Sequence, residues 1–244
     1  MLKFSPVTQQ NFDKKNWKHP GNYSYAAQTH LIPVVAGELL KAASYLPLAF
    51  LPVEGEWQLV AVMSLIPGTN LLVGPAGQWL GGYVPAMLRS YPFAMAPSPD
   101  RQGFNLVAVA EGDHLVPEGS GVPFFDAAGE ASPETQQAMN FLVEIEKSKN
   151  QMLRACKALA VESLLTPWEL VNNNNGEMQK IDGLYRLDQQ AFDRLDARAV
   201  VKIKDEGGLP IAFAQLYSIE HFDNLRKATI ENERLKALKS SAVN

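Results

Sequence analysis

What is scarce in this sequence removes whole classes of function. Cys156 is the single cysteine, which excludes a disulfide within the chain and a cysteine-rich zinc site. It falls inside a helical pattern and reads as a buried structural thiol rather than a nucleophile. Four histidines are present, His19, His30, His114 and His221. None stands at ligand spacing from another, so no metal and no cofactor is expected. No run of about 18 apolar residues occurs, so no transmembrane segment is expected. The opening "MLKFSPVTQQNFDKKNWKHPGN" lacks the continuous apolar stretch of a secretory signal, and the expected location is the cytoplasm. The net charge of −4 comes with no basic cluster, which argues against a nucleic-acid partner. Gly-x-Ser-x-Gly, Walker and Gly-x-Gly-x-x-Gly signatures are all missing.

What remains is an ordinary globular composition, 46% hydrophobic over 244 residues. That is enough to bury a core without staples. No linker-like run divides it, so one compact domain over 1–244 is expected.

The most informative pattern is internal. "SYLPLAFLPVEGEWQLVAVMSL" from Ser44 and "SYPFAMAPSPDRQGFNLVAVAE" from Ser90 share Ser-Tyr, a proline, an apolar run, a polar turn, an aromatic and Leu-Val-Ala-Val. Short helix-like stretches entered by Pro33 and Pro85 precede them. Residues 33–62 and 85–109 therefore read as two copies of helix, strand, turn, strand. They are expected to form one mixed, mostly antiparallel sheet with helices on a face. Residues 1–20 read as an N-terminal extension.

Further on, Ser132-Pro133 is a helix start, and apolar residues recur at helical spacing, giving a long helix over 132–165. The polar run "NNNNGE" marks a hairpin over 167–187, with Gly183 as a bulge or close approach. Its second strand places Ile181, Tyr185 and Leu187 on one face and Lys180, Asp182 and Arg186 on the other. Helical segments follow over 189–238, with a frayed tail. The fold class is α+β.

Two places carry candidate chemistry. His30 precedes "LIPVV", and Glu38 lies on the helix that follows. His30 is a candidate general base with Glu38 orienting it, and the alternative is a partly buried histidine bonded to a backbone carbonyl while Glu38 faces water. Arg89, near Trp79, Tyr83, Tyr91 and Phe93 in sequence, either holds a carboxylate or closes its short helix. The segment Gly77–Tyr83 has no counterpart in the first copy. Trp79, Gly81, Gly82 and Tyr83, with Arg89, are therefore the candidate ligand-binding residues.

"YAAQTHLIPVVAGELLKAASYLPLAF", "GQWLGGYVPAMLRSYPFAM", "FFDAAGEAS", "IDGLYRLDQQAFDRLD" and "GLPIAFAQLYSIEHFDNL" together resemble the SapC family of bacterial proteins. The resemblance runs from Phe4 to about Leu225. It implies a single-domain accessory protein, encoded in some members beside flavin-dependent halogenase-like proteins, receptors for uptake and cupin-type proteins. It brings no catalytic residues. The expected function is a cytoplasmic binding protein for a peptide, a protein partner or a small ligand. It would act with a neighbouring oxidoreductase or uptake system. The alternatives are a hydrolase or modifying enzyme based on His30, and a surface-array structural protein. Exposed aromatics are compatible with a homodimer.

Overall fold

The computed structural model describes residues 2–98, 103–174, 177–225 and 227. The fold is α+β, and every strand pairing among the described residues is antiparallel. The chain groups into two compact units, Met1–Asn22 with Ala86–Lys147, and Tyr23–Pro85 with Ser148–Asn244.

In chain order, the first unit begins with β1 (Phe4–Pro6), α1 (Gln9–Phe12) and β2 (Lys15–Trp17). The second unit follows with β3 (Leu31–Pro33), α2 (Leu39–Ala43), β4 (Leu48–Val53) and β5 (Glu56–Val62). The chain returns to the first unit through α3 (Ala86–Arg89), β6 (Phe93–Pro97), β7 (Phe104–Val109), β8 (Leu115–Pro117) and β9 (Val122–Pro123). The helix α4 (Pro133–Val161) begins in the first unit and ends in the second. There β10 (Leu165–Pro167), β11 (Leu170–Asn174), β12 (Glu177–Ile181), β13 (Tyr185–Leu187), α5 (Gln189–Asp193), α6 (Ala197–Asp205) and α7 (Gly208–Ser218) complete the described elements.

The internal repeat is real in three dimensions, and it is larger than its sequence echo. In the second unit β4 and β5 form a hairpin, with Leu48 opposite Ala61 and Phe50 opposite Leu59. In the first unit β6 and β7 do the same, with Phe93 opposite Ala108 and Met95 opposite Leu106. Each hairpin gains a third strand in one register. Pro33 lies opposite Val60 and Leu31 opposite Val62, while Pro6 lies opposite Val107 and Phe4 opposite Val109. The closing backbone bonds also match, Val34 N–H to Leu59 O at 2.9 Å and Val7 N–H to Leu106 O at 2.9 Å.

Two expectations change as a result. The copies do not share one sheet. They stand in separate sheets, β1-β7-β6 and β10-β13-β4-β5-β3, because each recruits its own third strand from a different part of the chain. Residues 1–20 are not an extension, since Phe4–Pro6 and Lys15–Trp17 are sheet strands. Pro33 ends β3 instead of starting a helix, and the helical turns begin at Ala36. The ladder alternation turns its missing N–H toward the outer edge of the sheet, where no donor is needed.

Aromatic rings fill the core of the first unit. Phe12 and Phe124 have centroids 4.6 Å apart, and Trp17 meets Phe93 edge-on at 4.9 Å. In the second unit Ala49, Val60, Val62, Leu65, Leu184 and Phe222 pack as one buried cluster, with Trp168 against Phe222.

Helix α4 starts as expected, with Ser132 Oγ accepting the Thr135 N–H at 3.2 Å. It stops short of Leu165 because Ser163 takes a left-handed φ of 55° and Leu164 N–H turns back to Leu159 O. The expected hairpin over 167–187 is two structures. β11 pairs with β12, whereas β13 leaves at Gly183, φ 88°, to pair with β10 and β4. Its turn at residues 175–176, the side-chain faces of Lys180 and Ile181, and the helix and tail expected beyond Leu225 lie outside the described residues.

Candidate functional site

The residues singled out by the sequence fall in both units. His30, Glu38, Trp79, Gly81, Gly82 and Tyr83 belong to the second, and Arg89 belongs to the first.

In the second unit, Glu38 is buried, 5% exposed. Its Oε1 accepts the Val35 N–H at 3.2 Å, and its Oε2 accepts the Tyr83 hydroxyl at 2.8 Å. His30 is engaged elsewhere, its Nδ1 accepting the Gly68 N–H at 3.3 Å. Burial lowers the His30 pKa from its ordinary value. Glu38 is thus joined to Tyr83, and His30 to the backbone of a turn. His30 is half-buried and bonded to the backbone, but its partner is an N–H instead of a carbonyl, and Glu38 is buried instead of facing water. The Tyr83 bond links two residues that the sequence places in different candidate sites.

The glycine- and aromatic-rich segment is drawn together from within. Trp79 Nε1–H donates to Tyr83 O at 3.0 Å, Gly74 N–H to Gln78 O at 2.8 Å, and Tyr23 N–H to Gly77 O at 2.6 Å. The Tyr23 and Trp79 rings lie 5.3 Å apart. A Cβ at Gly81 would come within 2.9 Å of Trp79 Nε1, and one at Gly82 would collide with the Tyr45 ring. The two glycines are needed because aromatic rings pack directly on their backbone.

The first unit holds a cavity of about 500 Å³, within the range that takes a small ligand. Arg89 lines it, together with Trp17, His19, Tyr91, Phe93 and Phe141. The Arg89 guanidinium carbon sits 5.2 Å from the centre of the Phe141 ring, at cation–π range. Glu134 and Gln137, from the first turns of α4, add polar groups. Beneath the wall, His114 is buried and its Nε2 lies 2.8 Å from Val109 O. A carbonyl only accepts, so the ring proton is assigned to Nε2. Nδ1 then accepts the Tyr91 hydroxyl at 3.0 Å. Burial, followed by the nearby Asp113 charge, raises the Tyr91 pKa and keeps that hydroxyl a donor. The wall beside Arg89 is thereby held by a three-part relay, Tyr91 to His114 to the backbone.

A second cavity of about 470 Å³ lies between α4 and α6 in the second unit. Its lining mixes acids and bases, and Lys202 and Glu162 pair at 3.3 Å, which is the habit of a solvated helix seam. Among the described residues no group of three or more His, Cys, Asp or Glu is placed to hold a metal ion.

Nothing in the local sequence singles out Trp17, His19 or Phe141. The available signal is the repeat. Aligning "FSPVT" (4–8) with "LIPVV" (31–35) draws the N-terminal segment into the second copy and Trp17 with it.

Fold and site together define an α+β protein built on an internal repeat. Among the described residues no helix is long and apolar enough to cross a membrane. The chain belongs to the SapC family, whose model, described as SapC, matches residues 7–225. No curated protein and no solved structure matches it.

Proposed function

We propose that this chain is a binding protein whose first-unit cavity takes a ligand with a flat apolar body and an acidic group. The observation that carries the reading is Arg89 stacked over Phe141 in an aromatic cavity of about 500 Å³. Trp17, Phe93 and Phe141 supply faces and edges for a ring. The guanidinium supplies a planar fork of donors for a carboxylate, while its own face is already held by Phe141. Such a group could be a free acid or the acidic end of a peptide. That the chain serves a neighbouring oxidoreductase or uptake system is supported by the family resemblance alone.

A thermal-shift screen tests the reading. Indole-3-acetate and related aromatic acids should raise the melting temperature, while the matching amides and aliphatic acids should not. Equal shifts from acids and amides would contradict the assignment to Arg89. No shift from any aromatic compound would contradict the cavity.

A further inference from the structure

The repeat makes each unit a template for the other, and one difference between them points to an interaction surface. In an antiparallel ladder, successive residues direct their peptide groups alternately toward and away from the paired strand. Val62 N–H bonds Pro47 O at 2.9 Å, and Val109 N–H bonds Pro92 O at 3.0 Å. Leu48 and Phe50 in β4, and Phe93 and Met95 in β6, therefore turn their peptide groups to the outer edge.

In the second unit that edge is occupied. Leu48 N–H donates to Ser218 Oγ at 3.0 Å, and Leu48 O accepts from Gln215 Nε2 at 3.3 Å. Beyond Phe50 lies β13, with Tyr185 directly opposite. The Tyr185 ring packs edge-on against Trp57, 4.8 Å between centroids. In the first unit Phe93 N–H folds back on Ser90 O at 2.8 Å, and β6 is the last strand of its sheet. The residue that corresponds to Trp57 is Phe104, since Trp57 lies opposite Pro52 and Phe104 opposite Pro97. Phe104 is 53% exposed. Among the described residues, β6 has no counterpart of β13, and the ring that β13 would cover is in water.

We propose that the β6 edge at Phe93–Ala96 docks a short extended segment of a partner protein, antiparallel to β6, with an aromatic residue opposite Met95. Strand addition supplies main-chain bonds to the Met95 peptide groups, and the aromatic supplies the contact with Phe104. Pro97 corresponds to Pro52 and has no N–H to offer, so pairing ends there. The docked segment is accordingly as short as β13, which has three residues. The edge shares Phe93 with the Arg89 cavity, Phe93 giving its side chain to the cavity, while the docking bonds are made by the outward peptide groups of Met95, which does not line the cavity.

The test uses a peptide that copies the natural occupant of the sister edge, acetyl-GLYRLD-amide, which has the sequence of Gly183–Asp188. It is titrated into the ¹⁵N-labelled full chain. Saturable shifts are expected at Phe93–Ala96 and Phe104, with slowed exchange of the Met95 amide. Met95→Pro removes the outward N–H and leaves the Ala94–Val107 bonds intact, so it should weaken the peptide about ten-fold. Phe104→Ala leaves the backbone untouched, so it must weaken the peptide even if the proline variant fails to fold. Arg89→Ala should leave the affinity unchanged. The proposal is overturned by an absence of saturable shifts at millimolar peptide, by shifts that map elsewhere, or by binding indifferent to both edge variants. Self-association of the chain that Phe104→Ala abolishes would also overturn it, because a second copy would then be the occupant.

Discussion

The hydroxyl of Tyr83 donates to Oε2 of Glu38 across 2.8 Å, and the carboxylate beneath it is buried. These residues lie 45 positions apart, and their bond ties the non-repeated loop of the second unit to the turn that begins its helix. A carboxylate so placed is costly to leave short of donors. Tyr83→Phe should therefore lower the unfolding free energy by about 1–3 kcal/mol. Urea denaturation followed by circular dichroism measures it, and a change within error would mean that water replaces the hydroxyl.

Cys156 is buried, and burial pushes its thiol up to about 12, with a weaker opposing contribution from a backbone hydrogen bond at Leu59. The thiolate is the reactive form, so the native chain should resist thiol reagents at mildly alkaline pH. It should react quantitatively once unfolded. Rapid modification of the folded chain, timed against its unfolding rate, would show that the α4 environment opens locally.

His30 gives a pH dependence of defined sign. Burial lowers its folded pKa below the ordinary 6.5, so the unfolded chain takes up the proton first as the pH falls. Its contribution to stability is complete above about pH 6.5 and is lost as the pH drops through that value toward the folded pKa. Thermal melts between about pH 8 and pH 5 should show a smaller acid loss for His30→Gln than for the parent. The opposite sign would be expected of an imidazole held charged by Glu38, so the same experiment discriminates the general-base arrangement from the observed one.

Corresponding positions of the repeat should differ in energetic weight. Phe50 is wholly buried, whereas Met95, its counterpart, is half-buried at a sheet end. Phe50→Ala should cost about 3–5 kcal/mol, and Met95→Ala clearly less. Equal losses would mean that the β6 edge is as deeply packed as that of β4.

Much of this architecture is legible in the sequence because repeated chemistry repeats geometry. The Leu-Val-Ala-Val motifs, Pro47 and Pro92 just ahead of the hairpins, and the Ser132-Pro133 helix start all act locally and are where their patterns place them, whereas Pro33 ends a strand instead of starting a helix. Long-range pairing leaves no such mark. "FSPVT" and "LIPVV" share only a proline and a valine, so their common role as third strands shows only through their registers with Val107 and Val60. The candidate site divides in the same way. The glycines and aromatics of Gly77–Tyr83 are conspicuous in the sequence, yet their oddity is consumed in packing rings on backbone. Arg89 is legible as a cation among aromatics. Its ring partner, Phe141, sits in a helical stripe that reads as core, and nothing short of the folded α4 brings the two together.

Arg89 and Phe141 are the proposed ligand-holding pair of the first-unit cavity. Calorimetric titration of indole-3-acetate into the full chain and into its Arg89→Ala and Phe141→Ala variants tests that assignment most directly. Saturable one-to-one binding by the parent chain is expected, weakened about ten-fold or more in each variant. Binding of equal strength in all three proteins, or none in the parent, would contradict it.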